Sequence, residues 1–434
     1  GLQAGVHPNQ VGHCRVLLRS FLVVPGFVFA SLLLVSTVRT FVYRVYPSEA
    51  QQQRLRGWEG ACRFLYNLAH EQRLMGLLRL SGSKVYPTAF GQARELTELR
   101  ALVHWLDDVP RHVAQRILDR LGEAWDEFFA KEGGRPSFKK RGGPPIALEE
   151  FDPKVWRLDA AKGVVRFPKL GNVPVVLHRP LEGKAKTCSL VRDVDQWFVH
   201  LTCEVSDPVP VDPLGPPVAI DLGVEVAFAD SNGGRVPNPR LGQAMAPKIA
   251  HLQRQVAKTQ KGSKNRAKAK EKVAKAHRKL RRQREHFAHT YSYRYAKNHG
   301  VIVLEDLRLK NMTASAKGTV EEPGTQVAQK AGLNRALLDV AMFRFATLLT
   351  YKAPRYGGQV VKVQAAYSSQ ECAACGHVAA ENRPTRSKFH CQQCGHQAHA
   401  DTNAAKVLLK RYHEINTRRT GGSEAVSYTH LRAH

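Results

Sequence analysis

Four cysteines in two pairs constrain the fold of this 434-residue chain more than any other feature. Two residues separate Cys372 from Cys375 and Cys391 from Cys394, and fifteen residues lie between the pairs. This spacing is typical of a structural zinc site, in which four thiolates complete a tetrahedron. The alternative is two disulfide bonds, but the other four cysteines are scattered, which indicates a reducing compartment. We therefore predict one Zn²⁺ in a small ribbon, residues 370–397.

The charge balance indicates a polyanionic partner. Lys and Arg number 66 against 37 acidic residues, which gives a net charge of +29. Because basic side chains neutralise phosphates and release counterions, we expect a nucleic acid. The alternative is a protein that is basic but has no such partner. The predicted phosphate contacts are Lys139, Lys140, Arg141, Lys264, Arg266, Lys268, Lys272, Lys275, Lys279 and Arg282.

Much of this charge falls on one segment, residues 248–284, which has 15 Lys and Arg and a single acid, Glu271. Its apolar residues repeat like a heptad seam, and Gly262-Ser263 interrupts the pattern. We predict an antiparallel helical hairpin with a charged outer face. The alternative is a solvated run of charge with no ligand.

The two ends of the chain lack the regular apolar periodicity of the middle. Residues 21–35 are apolar but short for a bilayer span of about 20 residues, and Pro25 interrupts them, so no membrane is expected. Because the first methionine is Met75 and regular patterns begin near residue 40, we expect residues 1–39 to be an upstream segment foreign to the native protein. We predict that residues 413–434 form a tail.

Periodicity divides the middle of the chain into three parts. Apolar residues recur every three or four positions over 48–131, which predicts a helical domain. Ser48, followed three residues later by Gln51, predicts a capping box at its start. Short alternating strands separated by turn residues over 132–207, together with a strand at 40–47, predict a small β-barrel. The proline-rich composition of residues 208–217 predicts a linker.

Residues 218–412 alternate strands and helices, which predicts an α/β sheet, with one of the helices over residues 331–353. Asp221 and Glu305 each follow an apolar strand, and Asp401 opens a helix with its apolar residues on the same face. An ionised carboxylate is costly at the end of a buried strand unless something compensates it. We predict that the three acids converge and bind two Mg²⁺, which suits phosphodiester hydrolysis.

Each acid also has a simpler interpretation. Asp221 could begin a turn with Gly223, and Glu305 could be the first polar residue after a strand. Asp401 could cap its helix, a contribution of about 1 kcal/mol. The three acids together, in a chain that is expected to bind a polyanion, favour the metal site.

Several stretches of sequence resemble the TnpB (OrfB) proteins of bacterial insertion sequences, which are related to type V CRISPR effectors. They include VAIDLGVEVAFADSNG (218–233), VIVLEDLRLKNM (301–312), SSQECAACGHVAAENR (368–383) and HADTNAAKVLL (399–409). The resemblance covers roughly residues 40–412, in both order and spacing. One departure is Glu225, where the family more often has a neutral or basic residue.

The resemblance implies a multidomain protein. Its parts are an α/β RNase H-like (RuvC) nuclease domain with an inserted zinc ribbon, a small β-barrel wedge domain and a helical recognition domain. It implies that Asp221, Glu305 and Asp401 are the catalytic acids and that the four cysteines bind zinc. The implied partners are a guide RNA derived from the end of the element and double-stranded DNA with a short adjacent motif.

We therefore expect an RNA-guided DNA endonuclease of an insertion sequence that acts in the bacterial cytoplasm near the nucleoid. Two alternatives remain at this point. One is a non-cleaving, RNA-guided repressor that uses the same surfaces, although all three acids are present. The other is a transposase that joins strands, because RNase H-like sites can perform either chemistry.

Overall fold

The computed structural model describes residues 35–78, 87–207, 215–307, 312–319, 322–364 and 366–420. These residues fall into two compact units divided after Asp207. Most of the predicted upstream segment and of the predicted linker lies outside the described residues, as does the tail beyond residue 420. No helix in the described part of the chain has the length and hydropathy that crossing a bilayer would need.

The helices of the first unit follow the predicted periodicity. They are α1 (Glu49–Leu78), α2 (Ala89–Leu102), α3 (His104–Asp107) and α4 (Arg111–Phe129). The predicted capping box at the start of α1 is confirmed, because the Gln51 N–H donates to Ser48 Oγ at 3.3 Å and the Ser48 N–H donates to Gln51 Oε1 at 2.9 Å. Trp58 and Trp125 are fully buried among these helices and the adjoining sheet.

Seven strands form the sheet of the first unit, in the order β2-β6-β7-β1-β5-β4-β3. They are β1 (Val35–Val45), β2 (Leu148–Glu150), β3 (Arg157–Asp159), β4 (Val164–Phe167), β5 (Gly171–Val176), β6 (Lys184–Asp193) and β7 (Gln196–Asp207). Within residues 87–207 and β1, no ladder joins the end strands β2 and β3, so the described ladders do not close a barrel.

The first strand corrects one predicted boundary. Residues 35–39, which we assigned to the upstream segment, form the start of β1 because they continue its antiparallel pairing with β7, from Val35 opposite Asp207 to Val45 opposite Trp197. Further along β1, Phe41, Tyr43 and Val45 alternate into the core.

The second unit is built on a five-stranded sheet with the order β10-β9-β8-β11-β12. Its strands are β8 (Val218–Leu222), β9 (Val226–Asp230), β10 (Arg235–Pro237), β11 (Val301–Glu305) and β12 (Gln359–Val363). The first three are antiparallel, whereas β11 runs parallel to both β8 and β12. Because β8 and β11 are parallel neighbours, their carboxyl ends lie at the same edge of the sheet.

Five helices of the second unit are described: α5 (Leu241–Ala257), α6 (Lys264–Asn298), α7 (Val327–Val340), α8 (Met342–Arg355) and α9 (Ala400–Thr420). The predicted hairpin is confirmed: α5 and α6 pack through Ile249, Ala276 and Leu280. Ser263 caps α6, because its Oγ accepts a hydrogen bond from the Arg266 N–H at 3.1 Å.

Two predicted helix boundaries are wrong. We expected one helix over residues 331–353, but it divides into α7 and α8 at Ala341, whose backbone is left-handed with φ 57° and cannot continue the helix. We also assigned residues 413–420 to the tail, whereas α9 continues to Thr420 because no Gly or Pro interrupts it before Gly421.

The cysteine-containing ribbon lies between β12 and α9. It contains a 3₁₀ turn (Ala380–Asn382) and the antiparallel strands β13 (Lys388–His390) and β14 (Gln397–His399), so it ends two residues later than predicted. Gly376 and Gly395 each follow a Cys-x-x-Cys pair with φ of +81° and +70°. Their left-handed backbone allows each pair to turn tightly, because glycine has no Cβ.

Candidate active site and zinc centre

Two of the three predicted acids lie at one edge of the second sheet. Asp221 is the fourth residue of β8 and Glu305 is the last residue of β11, and the register pairs Ile220 with Leu304 just before them. The three residues of β8 before Asp221 have no exposed surface. Apolar packing of the strands therefore fixes both acids at the same end of the sheet.

Asp401 lies in the first turn of α9, which packs against β8, β9, β11 and β12. A Cβ built on Gly223, just after β8, would be 4.0 Å from Asp401 Oδ2, so the start of the helix reaches the same sheet edge. Arg383 of the ribbon donates from Nη2 to Asp401 Oδ1 at 3.0 Å. The side chains of Arg383 and Asp401 are 29% and 15% exposed, so the pair is partly shielded from water.

Burial and neighbouring charges perturb the two strand acids. Burial, followed by the negative charges of Glu305 and Asp401, raises the pKa of Asp221 to about 8, although the positive charge of Arg383 opposes the shift. Burial also raises the pKa of Glu305, while a hydrogen bond from Ser368 and the charge of Arg411 lower it. Electrostatic repulsion between acids from β8, β11 and α9 is what a bound cation would relieve.

The cysteine sulfurs have the geometry of one metal centre. Their four Sγ atoms all lie within 4.8 Å of one another, and no other group of three or more metal-ligand side chains within the described residues is as compact. The Sγ atoms of Cys372 and Cys394 are 3.7 Å apart, and those of Cys375 and Cys391 are 3.6 Å apart. A tetrahedral zinc site with Zn–S bonds of about 2.3 Å has such edges, whereas a disulfide bond is about 2.05 Å long.

Three side chains that contact this region were missed in the sequence analysis. Arg383 contacts Asp401, the Ser368 hydroxyl donates to Glu305 Oε1 at 3.0 Å, and Arg411 donates from Nη2 to Glu371 Oε2 at 2.6 Å. Ser368 and Arg383 lie on either side of the first cysteine pair. Their position beside the ribbon was the available signal, but the sequence does not show which way a loop side chain turns.

The predicted phosphate contacts of the hairpin occupy different environments. Lys264, Lys268 and Lys272 are exposed, and Lys275, Lys279 and Arg282 line an open cleft whose walls also include Arg278, Phe287 and Tyr291. Lys275 pairs with Glu271 at 2.7 Å. Arg266 differs from the others, because its Nη1 donates to the carbonyl oxygens of Val256 and Thr259, both at 2.7 Å, and thereby caps the end of α5.

The predicted contacts of the first unit lie on one loop. Lys140 and Arg141 are exposed, whereas Lys139 is partly buried with its Nζ 4.7 Å from the centre of the Tyr66 ring. The backbone of Lys139 is held by Asn67, which accepts from the Lys139 N–H at 2.7 Å and donates to its carbonyl oxygen at 3.1 Å. Burial lowers the pKa of Lys139.

Comparison with protein families identifies three segments of the chain. Residues 37–74 match the helix-turn-helix domain of IS605 OrfB proteins, residues 200–316 match the IS605 OrfB family described as probable transposase, and residues 343–408 match the Cas12f1-like TNB domain. The first match lies in β1 and α1, and the last contains the ribbon and Asp401.

Known proteins resemble the chain over most of its length. It is 35% identical over 381 residues to InsQ of Escherichia coli (strain K12), a protein named as an RNA-guided DNA endonuclease; the match covers 87% of this chain and 93% of that protein. It is 29% identical over 378 residues to a similarly named protein of Streptomyces pristinaespiralis, covering 86% and 88% of the two chains. The chain therefore belongs to the TnpB (OrfB) family of IS605-type insertion-sequence proteins.

More distant relatives include CRISPR effectors. The chain is 27% identical over 225 residues to the CRISPR-associated endodeoxyribonuclease Cas12f1 of Sulfoacidibacillus thermotolerans, covering 49% of this chain and 50% of that protein. A solved structure, that of Cas12f1 in a complex with sgRNA and target DNA, matches 86% of this chain and 98% of its own with a TM-score of 0.52 at 13% identity. This likeness shows that the fold is shared with a Cas12 effector.

Proposed function

We propose that this chain is an RNA-guided DNA endonuclease encoded by an insertion sequence and that Asp221, Glu305 and Asp401 are its catalytic acids. The observation that carries the proposal is geometric: Asp221 and Glu305 end neighbouring parallel strands, and the helix that bears Asp401 begins at the same sheet edge. The names of the relatives, which include two RNA-guided DNA endonucleases and an endodeoxyribonuclease, support the same chemistry.

The domain assignment follows from this proposal. Residues 218–412 would form the RuvC-type (RNase H-like) nuclease domain with the ribbon inserted before its last acid. The order β10-β9-β8-β11-β12, with three antiparallel strands followed by two parallel ones, supports this assignment. Residues 48–131 would be the recognition domain, and residues 40–47 with 132–207 the wedge domain.

The three carboxylates suit hard cations, because Mg²⁺ prefers oxygen ligands. The acids come from three separate elements, and such a set can hold two Mg²⁺, which in two-metal sites lie about 3.5–4 Å apart. Bound Mg²⁺ supplies Lewis-acid stabilisation of the charge that develops on a phosphodiester under attack by water.

The protein's own groups prepare the site for that charge. Asp221 must lose its proton before it can bind a cation, so its raised pKa makes cation binding weaker as the pH falls below about 8. Arg383 orients Asp401, and Ser368 orients Glu305, through the hydrogen bonds described above. The four cysteines would hold one Zn²⁺ and keep the ribbon folded.

The nucleic acids would be held mainly through phosphates. The guide RNA, derived from the end of the element, would pair with one strand of double-stranded DNA beside a short adjacent motif, so base pairing rather than protein would read most of the sequence. The exposed basic side chains of α6 and of the loop at Lys140 and Arg141 would contact phosphates. Such an enzyme would act on the nucleoid in the bacterial cytoplasm.

The test uses the full chain purified with the RNA that accompanies it. That RNA is sequenced, and a supercoiled plasmid with the matching target, flanked by randomised bases, is incubated with the complex and Mg²⁺. We expect linear product that depends on the match, and no cleavage by Asp221→Ala, which should still co-purify with RNA. Undiminished cleavage by Asp221→Ala, or cleavage that ignores the match, would contradict the proposal.

The same assay separates the two alternatives. A plasmid that is bound but stays supercoiled would indicate a repressor, and joined ends would indicate a strand-transferring transposase. The description of the matching family as a transposase favours testing the second outcome.

A further inference from the structure

The ribbon is too small to fold by apolar packing. Its buried apolar cluster consists of Cys372, Phe389, Cys391 and Ala400 alone. Domains with so few core residues usually depend on a bound metal for their folded state. Yet this small element and the residues just before it supply two of the hydrogen bonds that orient the acids, from Arg383 to Asp401 and from Ser368 to Glu305.

Two asparagines with no exposed surface connect the ribbon to these contacts, and the first is Asn403. It lies two residues after Asp401 in α9. Its Oδ1 accepts from the Ala373 N–H at 3.0 Å, and its Nδ2 donates to the Glu371 carbonyl oxygen at 2.7 Å. The two backbone groups flank Cys372, so Asn403 fastens the first cysteine pair to the turn of helix that bears Asp401.

The second asparagine, Asn382, joins the two cysteine pairs to each other. Its Nδ2 donates to the carbonyl oxygens of Gln370 and His377 at 2.9 and 3.1 Å, on the side of the first pair. Its Oδ1 accepts from the Gln392 N–H at 2.9 Å, inside the second pair. Arg383 is the next residue, so its guanidinium reaches Asp401 from a backbone that both pairs hold in place.

We propose that Asn382 and Asn403 are positioning residues that transmit the zinc-dependent fold of the ribbon to Glu305 and Asp401, through Ser368 and Arg383. This inference rests on the proposed function of the three acids as a cation-binding nuclease site. Ser368 and the cysteine pairs lie on one continuous stretch of chain, and the two amides bind five of its backbone groups. Release of zinc would therefore free the side chains of Glu305 and Asp401 to turn, although Glu305 would keep its backbone position at the end of β11, as Asp221 would on β8.

The experiment measures two metals separately in the full chain. Zinc release is followed with a chromophoric chelator, and occupancy of the carboxylates is followed by titration with Mn²⁺ as a paramagnetic probe. Asn403→Ala is compared with Asn416→Ala, a matched control on an exposed position near the other end of α9. We expect Asn403→Ala to release zinc about tenfold faster and to bind Mn²⁺ about 10–100-fold more weakly, as is usual when a residue that orients metal ligands is lost.

A second variant tests the contact with the carboxylates separately from the zinc-binding ribbon. It remains informative if Asn403→Ala does not fold. Ser368→Ala removes the hydrogen bond to Glu305 without touching an asparagine amide. We expect it to weaken Mn²⁺ binding about tenfold with zinc release unchanged. Asn416→Ala should leave both measurements at the wild-type values.

Wild-type Mn²⁺ affinity after zinc has been removed, or in Asn403→Ala despite faster zinc release, would overturn the inference. So would wild-type Mn²⁺ affinity in Ser368→Ala. Neither measurement requires DNA cleavage. A chain that binds Mn²⁺ in a zinc-dependent way but never cuts a matched plasmid would therefore refute the proposed function and leave the coupling intact.

Discussion

The acids of the second unit are held in place in two different ways. Asp221 and Glu305 end strands whose preceding residues are completely buried, so apolar packing sets their positions. Asp401 begins a helix next to a ribbon with a four-residue core, and a guanidinium and an asparagine amide fix its surroundings. One site therefore combines a rigid sheet edge with a part whose geometry we propose to depend on zinc.

Loss of zinc should produce the largest difference between the ribbon beside Asp401 and the strands that end in Asp221 and Glu305. Cys391→Ser removes one of the four thiolates, and structural zinc contributes about 10–16 kcal/mol to small domains. We expect hydrogen exchange to increase throughout residues 370–400 while β8 and β11 stay protected. Equal loss of protection in the strands would show that the ribbon and the sheet unfold together.

Loss of the strand acid should abolish catalysis without affecting the ribbon. Removing a group that holds the metals forfeits several kcal/mol of transition-state stabilisation, so Asp221→Ala should reduce cleavage at least about 10³-fold. Its zinc content should match that of the wild type. Cleavage within tenfold of the wild-type rate would remove Asp221 from the proposed mechanism.

The sheet core should tolerate substitution poorly. Phe228 of β9 is completely buried and stacks on Phe345 of α8 with ring centroids 3.9 Å apart. Phe228→Ala should lower the free energy of unfolding of the second unit by about 3–5 kcal/mol, because it leaves a cavity. Chemical denaturation checks this value, and Phe343→Ala, at a position that is 64% exposed, is the matched control.

The buried charge of Asp221 should appear as a pH effect in the metal-free protein. The folded pKa of about 8 exceeds the unfolded value of 3.8, so between these pH values the folded state keeps a proton that the unfolded state has lost. Stability should then fall as the pH rises through this window. Asp221→Asn should abolish that contribution, and its Tm in EDTA should exceed that of the wild type increasingly up to pH 8, by about 2–4 °C for each kcal/mol relieved.

The smallest effect is expected where the ribbon meets the sheet at the surface. Arg386 Nη1 lies 3.2 Å from Glu225 Oε1, and the two side chains are 87% and 55% exposed. Exposed pairs contribute about 0.2–1 kcal/mol and are screened by salt. Glu225→Gln should therefore change neither zinc release nor cleavage by more than about twofold. A larger loss of cleavage activity would indicate that Glu225, the position at which this chain differs from most of the family, takes part in the active site.

The sequence was sufficient for those parts of the fold that depend on local patterns. The cysteine spacing, the acids at strand ends and the hairpin break at Gly262 all follow from spacing and composition, and the structure places them accordingly. Because parallel strands bring their carboxyl ends together, convergence of Asp221 and Glu305 could be predicted as well.

The features that were missed depend on contacts between distant residues. The left-handed Ala341 lies in a run without Gly or Pro, so no local signal marks the end of α7. Val35–Arg39 belong to β1 only because β7 pairs with them. Nothing in the sequence distinguishes Asn403 from other helix residues. Its role depends on a hydrogen bond from the backbone of Ala373, which lies inside the first cysteine pair, thirty residues earlier in the chain.

The most direct test of the central claim is anomalous diffraction from crystals of the full chain soaked in Mn²⁺. We expect two Mn²⁺ peaks in contact with Asp221, Glu305 and Asp401, and a separate zinc peak among the four cysteines. Mn²⁺ absent from these carboxylates, or bound with Asp401 turned away from the other two, would contradict the claim.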